Sequence, residues 1–208
     1  LVAVKLNAEK EGRSLVEKFR IASLPTVVVF DPASGREVSR IGGFLPTGPF
    51  VEKLRAILQM HRGLPALEKK VAQSPSDSAS ALALLRIYAE QGRPPEVRRL
   101  LERIRKADPN GKRGHLGPAL LELGMRERAS GSIGRAKPHL EEADRLVRTP
   151  QEHALARLEL GICHAASERL GDAVATWKTV GSISGCPPRL KEAAATLIQR
   201  AQAMQRKR

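Results

Sequence analysis

What most constrains this chain is a pattern of small and large apolar residues that recurs three times after residue 78. Leu84-Leu85-x-x-Tyr88 is followed by Gly92, Val97, Leu101, Ile104 and Pro109. Leu123-Gly124 is followed by Gly131, Ala136, Leu140, Ala143 and Pro150, and Leu160-Gly161 by Ala173, Trp177 and Pro187. With Leu85, Gly124 and Gly161 as equivalent positions, the steps are 39 and 37 residues. The mechanical meaning is a row of helical hairpins. A small residue at Gly124 and Gly161 lets the two helices of a hairpin approach closely, and Ala136 and Ala173 serve the same packing from the second helix. The large residue four later (Leu101, Leu140, Trp177) is expected to fill the space between successive hairpins, which makes Trp177 a core residue. One hairpin cannot bury its apolar face alone, so neighbours stack into a solenoid. Apolar positions from Leu190 to Met204 recur at helical spacing and predict a final capping helix.

This pattern resembles tetratricopeptide repeats, its steps exceeding the family period of about 34 residues, so the connections between repeats are slightly long. Gly111-Lys-Arg-Gly114 supplies one insertion. The resemblance implies a concave groove that takes protein or peptide partners. Arg86, Arg126 and Arg157 are candidate partner-binding residues for acidic tails there, with ordinary solvated arginine as the alternative.

The first sixty residues read differently. Val2-Ala-Val-Lys-Leu6 is short and β-branched, which suits a strand. Leu15, Val16 and Phe19 predict an amphipathic helix over roughly Gly12 to Arg20. Val27-Val28-Val29-Phe30 reads as a strand covered on both faces. Asp31-Pro32-Ala33-Ser34-Gly35 is a turn cluster, and Glu37 to Ile41 a return strand. Gly42-Gly43-Phe44 ends it, and Pro46 and Pro49 open a helix with Phe50, Val51, Leu54, Ile57 and Leu58 on one side. Gly63-Leu-Pro65 marks a junction, Ala66 to Ala72 a short charged helix, and Gln73 to Asp77 a capping loop. The expected organisation is 1–62, a linker with a short helix at 63–77, and repeats over 78–208.

The order of Phe19 and Ile21, Leu24-Pro25-Thr26, Asp31, Gly35, Gly43-Phe44, Phe50 and Leu54 resembles the later portion of a thioredoxin-like domain of the bacterial thiol-disulfide interchange type. The fold class is then α/β plus all-α, a partial thioredoxin-like fold followed by a tetratricopeptide-type solenoid. The resemblance implies a cis Leu24–Pro25 bond and an edge at Leu24, Pro25, Thr26 and Gly43 where an extended substrate peptide docks. The alternative is that Pro25 and Gly43 simply hold a turn and end a strand. A complete thioredoxin carries Cys-x-x-Cys in an earlier segment; 1–62 contains no cysteine, so no catalytic residue is identified. The leading expectation is a thiol-disulfide oxidoreductase in a parent protein with redox cysteines upstream, its repeats binding proteins. The alternatives are a redox-inactive adaptor or holdase, and a basic scaffold for an anionic partner.

Charge bears on that last alternative. Thirty-six basic against 22 acidic residues give +14, yet aromatics are 3% of the chain, too few for base-stacking platforms, so nucleic acid is disfavoured. No apolar run approaches the roughly 20 residues of a membrane helix. The chain opens on Leu1 with no signal-peptide pattern, which points to a fragment or processed product and leaves bacterial cytoplasm and periplasm both open. Cys163, Cys186 and five histidines show no metal-ligand spacing and no cofactor motif; whether the two cysteines pair is open.

Overall fold

The computed structural model describes residues 2–32, Gly35 and 37–206. The chain divides into two compact units, Leu1–Pro65 and Ala66–Arg208.

In the first unit, helix α1 (Arg13–Lys18) precedes an antiparallel pair, β1 (Thr26–Phe30) and β2 (Glu37–Gly42). The register runs from Thr26 opposite Gly42 to Phe30 opposite Glu37, with a bulge between Val29 and Phe30. Ala33 and Ser34 of the expected turn lie outside the described residues. Val29, Val38, Ile41 and Ile57 form a small core, with Leu45, Phe50 and Leu54 packed on it. On α1's side, Phe19 packs against Phe30 with ring centroids 4.8 Å apart and the planes tilted by 56°.

Three expectations need correction. Val2 to Leu6 is not a strand, and Val2, Val4 and Leu6 are exposed. A strand needs a neighbour for its main-chain groups, and among the described residues β1 and β2 pair only with each other. β1 is not covered on both faces: Val29 is buried, whereas Val27 and Phe30 are exposed. The junction expected at Gly63-Leu-Pro65 falls where the two units divide, but Ala66 to Ala72 is not a separate short helix. Helix α2 runs unbroken over Thr47–Gln73 with Pro65 inside it. The reason is visible in the spacing: Leu54, Ile57, Leu58, His61, Leu64, Leu67 and Val71 form one continuous buried or half-buried stripe, while Gly63 and Pro65 are exposed. A continuous apolar face outweighs the local cost of proline, which loses one main-chain hydrogen bond.

The second unit contains α3 (Ser78–Glu90), α4 (Pro94–Ala107), α5 (Leu116–Ala129), α6 (Ile133–Leu146), α7 (Pro150–Ala166), α8 (Leu170–Gly181) and α9 (Pro188–Gln205). α3/α4, α5/α6 and α7/α8 are the three hairpins, and α9 packs on α8 and α7 as the final helix. Asp77 caps α3 by accepting from the Ser80 N–H at 2.9 Å, and Thr149 with Glu152 forms a reciprocal capping box on α7.

The small positions act as the spacing implies. A Cβ built on Gly124 would lie 2.7 Å from Leu140 Cγ, and one on Gly161 2.5 Å from Trp177 Cδ1. Leu140 and Trp177 therefore sit on the glycine of their own hairpin, rather than simply filling the gap to the next one. Trp177 is core, its Nε1–H donating to the Leu158 carbonyl at 3.0 Å.

Candidate partner-binding surfaces

In the first unit the four residues singled out from sequence come together at one end of the β-hairpin. The Leu24–Pro25 bond is cis. Thr26 Oγ1 donates to the Ser23 carbonyl at 2.6 Å, and the Gly43 N–H donates to the Pro25 carbonyl at 2.8 Å. Gly43 has φ +79° and open space where a Cβ would stand, so its backbone conformation, not crowding, is what calls for glycine. Leu24 is 62% exposed and Phe44 81% exposed, which places two large apolar side chains beside this bond. Phe44 was legible only as part of the sequence pattern; its exposure comes from the structure.

In the second unit the three arginines lie on the first helix of successive hairpins, but in different states. Arg86 is exposed on α3, in an outward stripe with Ala79, Ala83 and Glu90, and among the described residues it makes no ion pair or hydrogen bond. Arg126 is exposed and reaches back one turn to Glu122 Oε1 at 3.0 Å. Arg157 is half-buried and committed to Asp144 on α6, both carboxylate oxygens accepting from its Nε at 3.2 Å, while His153 Nδ1 lies 3.0 Å from the same Asp144.

Sequence reading missed the polar ties between hairpins. Arg105 on α4 holds Glu142 on α6 through two hydrogen bonds of 2.5 and 2.8 Å, and Arg128 on α5 holds Glu159 on α7 at 2.5 and 3.1 Å. The hydrogen bond from Arg105 keeps the Glu142 carboxyl below the usual carboxylate range against an opposing burial effect. Arg105 and Glu142 are 37 residues apart, close to the 39-residue step between the first and second hairpins. Arg148 reaches the Gly111 and Lys112 carbonyls, and Arg103 those of Val71 and Pro75, so arginines also close the connections. Buried Asp108 organises the α4–α5 loop by accepting N–H bonds from Arg113 at 2.8 Å, His115 at 3.0 Å and Leu116 at 3.2 Å.

Both cysteines are free and buried. Burial pushes the Cys163 thiol up, and nearby Glu159 adds to the effect. Among the described residues no group of three His, Cys, Asp or Glu side chains gathers as a metal site, and no helix is long and apolar enough to cross a membrane.

The tetratricopeptide repeat family matches residues 59–121, a span that begins inside α2 and ends in α5. The crystal structure of MamA superposes with a TM-score of 0.53 at 18% identity, covering 79% of this chain and 98% of that one. No curated protein matches the chain. The family match over residues 59–121, the three hairpins and the structural likeness agree with a helical array of tetratricopeptide-like fold.

Proposed function

We propose that the chain is a protein-interaction scaffold whose repeat array docks an acidic segment of a partner. The observation that carries this reading is Arg86, an exposed guanidinium without an internal partner among the described residues, on the first helix of a repeat hairpin, in a chain with a net charge of +14. Arg126 adds to this surface by exchanging its weak same-helix pair for the partner's carboxylate. Arg157 serves the array itself through Asp144. Fluorescence anisotropy of a labelled Asp/Glu-rich decapeptide against the full chain tests the reading. Binding that weakens with salt, and about tenfold on Arg86→Glu, is expected. No binding, or equal binding of a Lys-rich control, refutes it.

We further read the first unit as thioredoxin-like, with Leu24, Pro25, Thr26 and Gly43 as an edge that meets an extended client. Support comes from the order α1, prolyl turn, antiparallel hairpin, α2, and from the hydrogen bond between Gly43 and Pro25. Dithiol chemistry in this reading belongs to cysteines outside the chain. With a Cys-x-x-Cys upstream the parent protein is a thiol-disulfide oxidoreductase, and without one it is an adaptor or holdase. A disulfide-reduction assay on the parent separates the two, turnover requiring the first.

A further inference from the structure

Helices that alternate in direction give the array two edges, and its charge is divided unevenly between them. One edge carries the turns inside the three hairpins. Those turns, with the four helical residues on either side, hold five basic and five acidic residues. Arg93 pairs there with Glu96 at 2.9 Å and Arg169 with Asp172 at 3.8 Å. The other edge carries the connections α2–α3, α4–α5, α6–α7 and α8–α9, where the same window holds ten basic and four acidic residues. These connections touch in series. Arg113 donates to the Ser76 carbonyl at 3.0 Å, Arg148 donates to the Gly111 carbonyl at 2.9 Å, and a Cβ on Gly185 would lie 3.3 Å from Pro150. The four carboxylates are already committed: Asp77 to Ser80 and Lys70, Asp108 to three loop N–H groups, Asp144 to Arg157 and His153, and Glu152 to Thr149. Two of the ten cations have a carboxylate partner, Lys70 with Asp77 and Arg105 with Glu142. The other eight, Lys112, Arg113, Arg148, Lys178 and Arg189 among them, are exposed and form no ion pair among the described residues. Because Arg113 and Arg148 bond neutral carbonyls, their guanidinium groups are held in place without their charge being cancelled.

We propose that this connection edge docks the repeat array on an anionic phospholipid surface, its arginines and lysines meeting headgroup phosphates. Guanidinium groups match phosphate oxygens, and each basic residue near such a surface adds to the attraction. The cations are irregularly spaced: one connection carries Lys112 and Arg113, the next Arg148, and the last Arg189 and Lys191. A ligand with fixed phosphate spacing would match only some of them, whereas headgroups in a fluid leaflet rearrange to meet all four connections at once. No Phe, Tyr or Trp lies in these connections or their flanking turns, so the edge offers no platform on which bases stack. It offers no large exposed apolar side chain either, and the association is electrostatic and reversible. The proposal does not rest on Arg86 or on the acidic-partner reading.

Flotation of the full chain with vesicles of phosphatidylcholine, alone or with roughly 30% phosphatidylserine, tests the proposal. The chain is expected to float with the anionic vesicles only, and to be released as salt rises. Lys112→Glu combined with Lys178→Glu, at two exposed side chains that hold no part of the fold by hydrogen bonds, weakens binding about thirtyfold. Arg135→Glu combined with Arg169→Glu makes the same change in net charge on the opposite edge and weakens binding less than about threefold, because screening confines the effect to nearby charges. The Lys112 and Lys178 pair leaves binding of the acidic decapeptide unchanged, which keeps this edge distinguishable from the Arg86 surface. Three results overturn the proposal: no flotation with anionic vesicles, equal loss from both double variants, or duplex DNA bound more tightly than the vesicles through the same two lysines.

Discussion

Adding a single methyl group at Gly161 tests the hairpin packing most sharply. The new Cβ of Gly161→Ala would stand 2.5 Å from Trp177 Cδ1 and 2.6 Å from Cε2, with Nε1 closer still. The indole cannot simply swing away: Trp177 is 3% exposed, among Ala154, Leu158, Ala173, Val180 and Leu190, and its N–H is bonded to the Leu158 carbonyl. Overpacking of this kind costs about 1–3 kcal/mol, and loss of the indole hydrogen bond adds about 1 kcal/mol. Alanine's better helix propensity returns about 1 kcal/mol. The net is a destabilisation of about 1–3 kcal/mol, or roughly 2–4 °C in Tm per kcal/mol for a chain of this size. Gly63→Ala is the matched control, an exposed mid-helix glycine with open space around a Cβ, where a gain of about 0.5–1 kcal/mol is expected. Thermal and urea unfolding followed by circular dichroism read both variants, and Trp177, the sole tryptophan, reports the local change by fluorescence. Trp177→Leu should partly rescue Gly161→Ala. If Gly161→Ala is as stable as Gly63→Ala, the close-approach account of the repeat pattern is wrong.

Other consequences are equally accessible. Asp108→Ala strands three loop N–H groups and should cost about 2–3 kcal/mol in urea unfolding, with Asp108→Asn intermediate; an unchanged midpoint would remove Asp108 as the loop's organiser. The Asp77 carboxyl is lowered to about 2 by the Ser80 N–H, then by the Ser80 hydroxyl and Lys70. A depressed carboxyl stabilises the fold above its unfolded value near 3.8, so Asp77→Ala should lower Tm at neutral pH, with the difference shrinking as pH falls from about 4 towards 2. A difference that persists undiminished at pH 2 contradicts the cap. Cys163, buried and with its thiol pushed up, should react with a thiol reagent only as fast as the array opens, whereas fast stoichiometric labelling of the native chain would place it at an accessible surface. Arg105→Ala, Glu142→Ala and the double variant should show a coupling of about 0.5–1 kcal/mol, modest because both groups are partly exposed; zero coupling would make the pair ornamental.

The sequence determined the local units of this protein and much of their internal packing. Leu84-Leu85, Gly124 and Gly161, with Ala136, Ala173, Leu140 and Trp177 at fixed offsets, specify helical hairpins because helix contacts recur at short sequence separations. The β1–β2 hairpin was legible for the same reason, as was the capping loop that ends at Asp77. Tertiary structure decided what depends on distant neighbours. Whether Val2 to Leu6 becomes a strand turns on a pairing partner that those five letters do not encode. Pro65 stays helical because a buried or half-buried stripe continues on both sides of it from Leu54 to Val71, a sum no local breaker rule contains. The three candidate arginines look alike in sequence, yet Asp144 commits Arg157 to the array and leaves Arg86 open, since an ion pair's partner is chosen by the fold.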